Sequence, residues 1–107
     1  MRSLAKDAVP RQVLAECKKL GEDIRHARIR RKFTMDELSE RTGISRGTLS
    51  KIENGSPNVA IGIIGRVLFI LGIKKGIGQL ADLSVDPISR DLEIEQLPKR
   101  VKKRWVQ

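Results

Sequence analysis

The side chains of this 107-residue chain that can engage another molecule offer hydrogen-bond donors and positive charge, and no machinery for covalent chemistry. Arg46, Thr48, Ser50 and Lys51 fall mostly off the face that Leu49 and Ile52 set three residues apart. A second basic group, Arg25, Arg28, Arg30, Arg31 and Lys32, precedes them. With 22 lysines and arginines against 13 acids, the net charge is +9 and the pI near 10.3, which suits a polyanionic partner. No His/Asp/Glu constellation, glycine-rich phosphate loop before a helix or metal-ligand cluster is legible, so neither an enzyme nor a cofactor is expected. One cysteine excludes an intrachain disulfide, and one histidine beside it excludes a structural zinc site. Aromatics are only 3% of the chain, too few for an RNA surface built on base stacking.

The elements that must position these donors lie in residues 34–55, TMDELSERTGISRGTLSKIENG. Thr34 and Glu37 form a T-x-x-E capping box that starts a helix. Leu38 is its apolar anchor, and Ser39 is small enough to admit a neighbouring helix. Gly43 suits a left-handed exit, Ile44 plugs the turn into the core, and Ser45 is a good N-cap for the next helix. Gly55 stops that second helix. Two short helices joined this way form a helix-turn-helix, whose second helix reads a DNA major groove; the alternative is a plain helical hairpin in a bundle.

On either side the chain reads as helical. Residues 1–9 form a loose basic arm, with Arg2 and Lys6, and Pro10 is placed to begin a helix. Val13, Cys17, Leu20, Ile24 and Ala27 mark one face of a helix over 10–31, with Gly21 allowing a break. Val13, Leu14 and Cys17 should pack on the domain or on a second copy, Cys17 as an inert core-facing thiol. His26 reads as an exposed helix residue. After a turn at 56–58, with Asn58 as N-cap, residues 59–73 are apolar nearly all round. Ile63, Ile64, Val67, Leu68 and Leu71 make the face a lone domain would bury. Ile61, Phe69, Ile70 and Ile73 then remain over. They suggest a homodimer through this helix and a short one near 77–83 that begins at Ile77, unless they cover the N-terminal helix. The run is too short for a membrane span and contains Arg66, and MRSLAKDAVPRQ lacks the apolar core of a secretion signal; a cytoplasmic protein is expected. Acidic residues from Asp82 to Glu95 give way to Lys99, Arg100, Lys102, Lys103, Arg104 and Trp105, either a solvated tail or one that orders on a partner with Trp105 as anchor.

The residues Leu20-Gly21-Glu22-x-Ile24-Arg25-x-x-Arg28, Thr34-x-x-Glu37-Leu38, Gly43-Ile44-Ser45 and Thr48-Leu49-Ser50-x-Ile52-Glu53-x-Gly55 closely resemble the Xre/Cro-type helix-turn-helix regulators of phages and bacteria. The resemblance covers roughly residues 20 to 72. It implies an all-α, compact five-helix, lambda-repressor-like domain over 20–83, with an N-terminal helical extension (1–19) and an acidic-then-basic C-terminal tail (84–107). It implies that Arg28 pairs with Glu53, tying the first helix to the recognition helix. Base-reading residues carried over from the family are Ser45, Arg46, Gly47, Thr48 and Lys51, with Arg46 or Lys51 suited to guanine. Phosphate contacts fall to the helix start at Thr34 and Met35, to Ser50, Asn54 and Ser56, and to Arg25 and Arg30.

Three positions depart from the family pattern. Met35 stands where glutamine is frequent, Gly47 offers no side chain for readout, and Lys32 stands where glycine is frequent, so the first helix is expected to end in another geometry. In layout and in its LPKRVKKRW ending the chain also looks like HipB-like antitoxins, which dimerise, repress their own operon and hold a HipA-like kinase toxin. A stand-alone phage-type or metabolic repressor, or a protein-interaction module on the same fold, are the competing readings.

Overall fold

Pro10 caps the first helix without a side-chain bond, its fixed φ setting the chain for α1, Arg11–Arg30. The computed structural model describes residues 8–88. The N-terminal arm residues Arg2 and Lys6 and the tail residues Lys99, Arg100, Lys102, Lys103, Arg104 and Trp105 lie outside them. Within the described residues the fold is all-helical, with α2 at Met35–Thr42, α3 at Arg46–Glu53 and α4 at Ile61–Leu71. Among the described residues there are four α-helices, not the expected five. Residues 77–83 form a single 3-10 turn, Ile77–Gln79, followed by turns. Gly76 and Gly78 are weak helix formers, and Asp82 accepts the Ser84 amide at 3.0 Å, a local bond that competes with a helical ladder. The chain divides after Gly76 into two units, and the first of them carries all four α-helices.

α1 packs on α3 and α4, and α2 packs on α3 and α4. Ile24, Leu38, Leu49 and Val67, one from each helix, are wholly buried at the centre. Ala27, Ile44, Ile52, Leu68 and Leu71 complete the core. The break allowed at Gly21 does not occur. α1 runs through it because the missing side chain serves packing: a Cβ there would lie 2.3 Å from the carbonyl oxygen of Ile52. Val13 and Leu14 remain substantially exposed, and Cys17 is half-buried. α4 begins later than expected. Its cap is Ala60, without a side-chain bond, while Asn58 directs its own amide to Ser56 Oγ.

α1 ends at Lys32 in the geometry that glycine would give, which corrects the expectation drawn from that residue. Lys32 has φ +60°; its amide donates to the Ile29 carbonyl at 2.9 Å, and the Phe33 amide to Arg28 at 3.2 Å. That bond pair is a Schellman motif. α3 ends in the same motif with Gly55 at φ +84°. The left-handed conformation costs a side-chain-bearing residue roughly 1–2 kcal/mol, partly offset by its stiffer unfolded chain. Lys32→Gly should therefore stabilise the domain by about 1 kcal/mol, read as a higher urea midpoint at unchanged slope.

Candidate nucleic-acid interface

The capping box expected at α2 is present in both directions. Glu37 N–H donates to Thr34 Oγ1 at 3.0 Å, and Thr34 N–H to Glu37 Oε1 at 2.8 Å. Thr34's backbone N–H is thus committed to the cap, leaving the amides of Met35 and Asp36 at the helix end. Gly43 leaves α2 at φ +73°, and its amide donates to the Ser39 carbonyl at 2.9 Å. Ser45 then caps α3, its Oγ accepting from Thr48 N–H at 3.2 Å.

The turn between α2 and α3 is held by side-chain bonds that the sequence reading did not anticipate. Thr42 is buried; its hydroxyl donates to the Leu38 carbonyl at 2.7 Å and accepts from Ile44 N–H at 3.1 Å. Ser39 Oγ donates to the Ile44 carbonyl at 2.6 Å, so it does more than make room. From α4, Arg66 Nη1 donates to the Thr42 carbonyl at 3.2 Å. These bonds fix the angle at which α3 leaves α2.

A second brace fixes α3 against α1. Arg28 donates through Nε to Glu53 Oε2 at 2.7 Å and through Nη2 to Oε1 at 3.0 Å. Its Nη1 donates to the Phe33 carbonyl at 2.9 Å. One guanidinium therefore joins α1, the α1–α2 loop and the end of α3, in the bidentate geometry that arginine alone can supply. The bond to Glu53 raises the Arg28 pKa above its ordinary value, against the opposing effect of burial. This is the pairing that the resemblance implied. The loop is further anchored by Arg41, whose guanidinium sits 4.7 Å from the Phe33 ring centroid.

Held in this way, the outward side of α3 is exposed at Ser45, Arg46, Gly47, Ser50 and Lys51, with Thr48 half-buried. Lys51 makes no ion pair among the described residues, nor do Arg25 and Arg30. Gly47 has no packing reason to be glycine, since a Cβ there would meet only Ser45 Oγ at 4.0 Å. Beside α3 opens a cleft lined by Lys18, Glu22, Arg25, Met35, Ser50, Glu53 and Asn54. It gathers four of the seven residues expected to meet phosphates and adds Lys18, which was not anticipated. Lys18 is placed by close contact, its Cα lying 2.7 Å from where a Gly55 Cβ would stand. Ser56, also expected there, accepts the Asn58 amide through Oγ, and Arg30 and Thr34 do not line the cleft. On another side of the unit, α4 exposes Ile61 and Phe69, with Ile70 and Ile73 half-buried. Ile77 belongs to the second unit.

Two short helices at a cross-braced turn, with a polar and basic outer face on the second, define a helix-turn-helix. Residues 21–71 match a family model described as a helix-turn-helix domain, from the second half of α1 to the last residue of α4. The match supports a DNA-binding regulator, a class that is typically non-enzymatic. A comparison with curated proteins gives no match. No helix among the described residues is long and apolar enough to cross a membrane.

Proposed function

We propose that this protein is a sequence-specific repressor that binds a palindromic operator as a dimer, most plainly the one upstream of its own gene. The observation that carries the reading is the outer face of α3. Its basic residues Arg46 and Lys51 are exposed, and its Ser50 lines a cleft with Lys18 and Arg25 as well as Glu22 and Glu53, while its inner face is held by Arg28 and Gly21. Arg46, Thr48 and Lys51 supply base contacts; Lys18, Arg25, Ser50 and Asn54 supply phosphate contacts that set the register. Gly47 lets the α3 backbone approach the duplex closely.

The dimer is assigned to α4, where Phe69 is 79% and Ile61 59% exposed beside Ile70 and Ile73. Exposed apolar side chains of that size are the usual mark of an interface. The narrower part of the reading is a HipB-like antitoxin that holds a HipA-like kinase. It rests on the resemblance of layout and on the basic, tryptophan-ended stretch at 97–105, outside the described residues.

The test is a gel shift with the duplex just upstream of the gene against a scrambled duplex, at two salt concentrations. The wild type should shift the first selectively, and Arg46→Ala with Lys51→Ala should abolish that preference. Phe69→Glu should convert the band to a faster, single-copy complex. Equal binding to both duplexes, erased by salt, would leave only the basic charge at work and favour the protein-interaction reading.

A further inference from the structure

Arg46, the first residue of α3, is not free. Its Nε lies 3.2 Å from Oδ1 of Asp36, the second residue of α2, and both side chains are largely exposed. In water such a pair contributes little to stability. Its geometry nevertheless has a consequence for the face it sits on. A guanidinium carries five N–H groups in a rigid fork, and the carboxylate sits at the Nε side. The contact is an ion pair and not an aligned hydrogen bond, and among the described residues the Arg46 terminal nitrogens have no other carboxylate partner. The end left open is the one that bonds guanine O6 and N7 together.

We infer that Asp36 is a positioning residue for sequence readout: it holds Arg46 end-on to the groove so that Arg46 selects guanine. The inference rests on the assignment of α3 as the DNA-reading helix. It also accounts for a carboxylate on a surface that must approach phosphates. Unpaired, Asp36 would oppose binding to every sequence; paired with Arg46, its charge is offset where the arginine is engaged. Exclusion of water at the interface strengthens the pair, so it orients the fork most firmly once the duplex is bound. Lys51, with no acidic partner among the described residues, has no comparable constraint.

The test is selection from a duplex library randomised over about two helical turns, by the full chain and by its Asp36→Asn and Arg46→Ala variants, followed by titration of the selected duplex and a scrambled one. The wild type should enrich a motif with a guanine that both variants lose. Asp36→Asn should bind the scrambled duplex more tightly, having lost a negative charge, yet discriminate guanine from adenine about tenfold less well. A guanine kept intact by Asp36→Asn, with both affinities raised equally, would overturn the inference and leave Asp36 a surface acid. Loss of a cytosine preference with the guanine retained would make Asp36 a direct base contact and overturn it as well. If Arg46→Ala lost the guanine and Asp36→Asn did not, the DNA-reading assignment would stand and the positioning role alone would fall. No enriched motif for the wild type would overturn both.

Discussion

Arg28→Ala is expected to destabilise the domain by about 3–5 kcal/mol, the cost of leaving one member of a buried ion pair alone. The side chains of Arg28 and Glu53 are only 12% and 7% exposed, so a lone Glu53 carboxylate would be poorly hydrated. The same change frees the Phe33 carbonyl and loosens the α1–α2 loop. Natural domains hold only about 5–15 kcal/mol in all, so the variant should be largely unfolded at moderate urea. A second substitution separates charge from packing. Arg28→Met combined with Glu53→Leu removes both charges and should recover most of the stability, because apolar replacements of a buried pair are often neutral or better. Urea unfolding of the wild type, the single and the double variant checks this; a single variant as stable as the wild type would show the pair to be inconsequential.

Gly21→Ala and Gly47→Ala should move stability in opposite directions, although both place the same methyl in an α-helix. At Gly21 the methyl would meet the backbone oxygens of Ile52 and Glu53 at 2.3 and 2.8 Å, and a backbone cannot turn aside. α1 and α3 would have to separate, at a cost of about 2 kcal/mol after the better helix propensity of alanine is counted. At Gly47 the methyl meets nothing closer than 4.0 Å, so propensity should stabilise the domain by up to about 1 kcal/mol. On the proposed reading, operator affinity should fall for Gly47→Ala even as its midpoint rises, since the methyl then stands between helix and duplex. Paired urea melts and gel shifts of the two variants separate the effects.

Local features of the fold were legible because they are written in consecutive residues. Thr34 with Glu37, Gly43 and Ser45 each act within one turn of chain, and each sits where its type demands. Contacts between distant residues left less trace. Arg28 and Glu53 are 25 positions apart, and their pairing came from resemblance to a family, not from any local pattern. Gly21 read as a possible break because propensity sees the cost of a glycine and not the carbonyl it must clear. Thr42 gave no signal, since a hydroxyl in the last turn of a helix is ordinary until it is buried against Ile44. Asp36 drew no reading, since an acid at a helix start is ordinary, and its contact with Arg46 depends on how the turn folds back. The fifth helix was over-read because Ile77, Leu80 and Leu83 supply a helical apolar pattern that glycines and the Asp82 side chain override.

The bond from Arg66 to the Thr42 carbonyl ties α4 to the bend that aims α3. With Arg28 holding the other end of α3, the helix is braced at both of its ends. On the proposed reading, in which a second copy meets α4, tolerance for operator length would reside in the angle at which the two copies meet. Substitutions at Ile61 or Phe69, remote from the bases, would change which half-site separations are accepted and leave the bases chosen within each half unchanged.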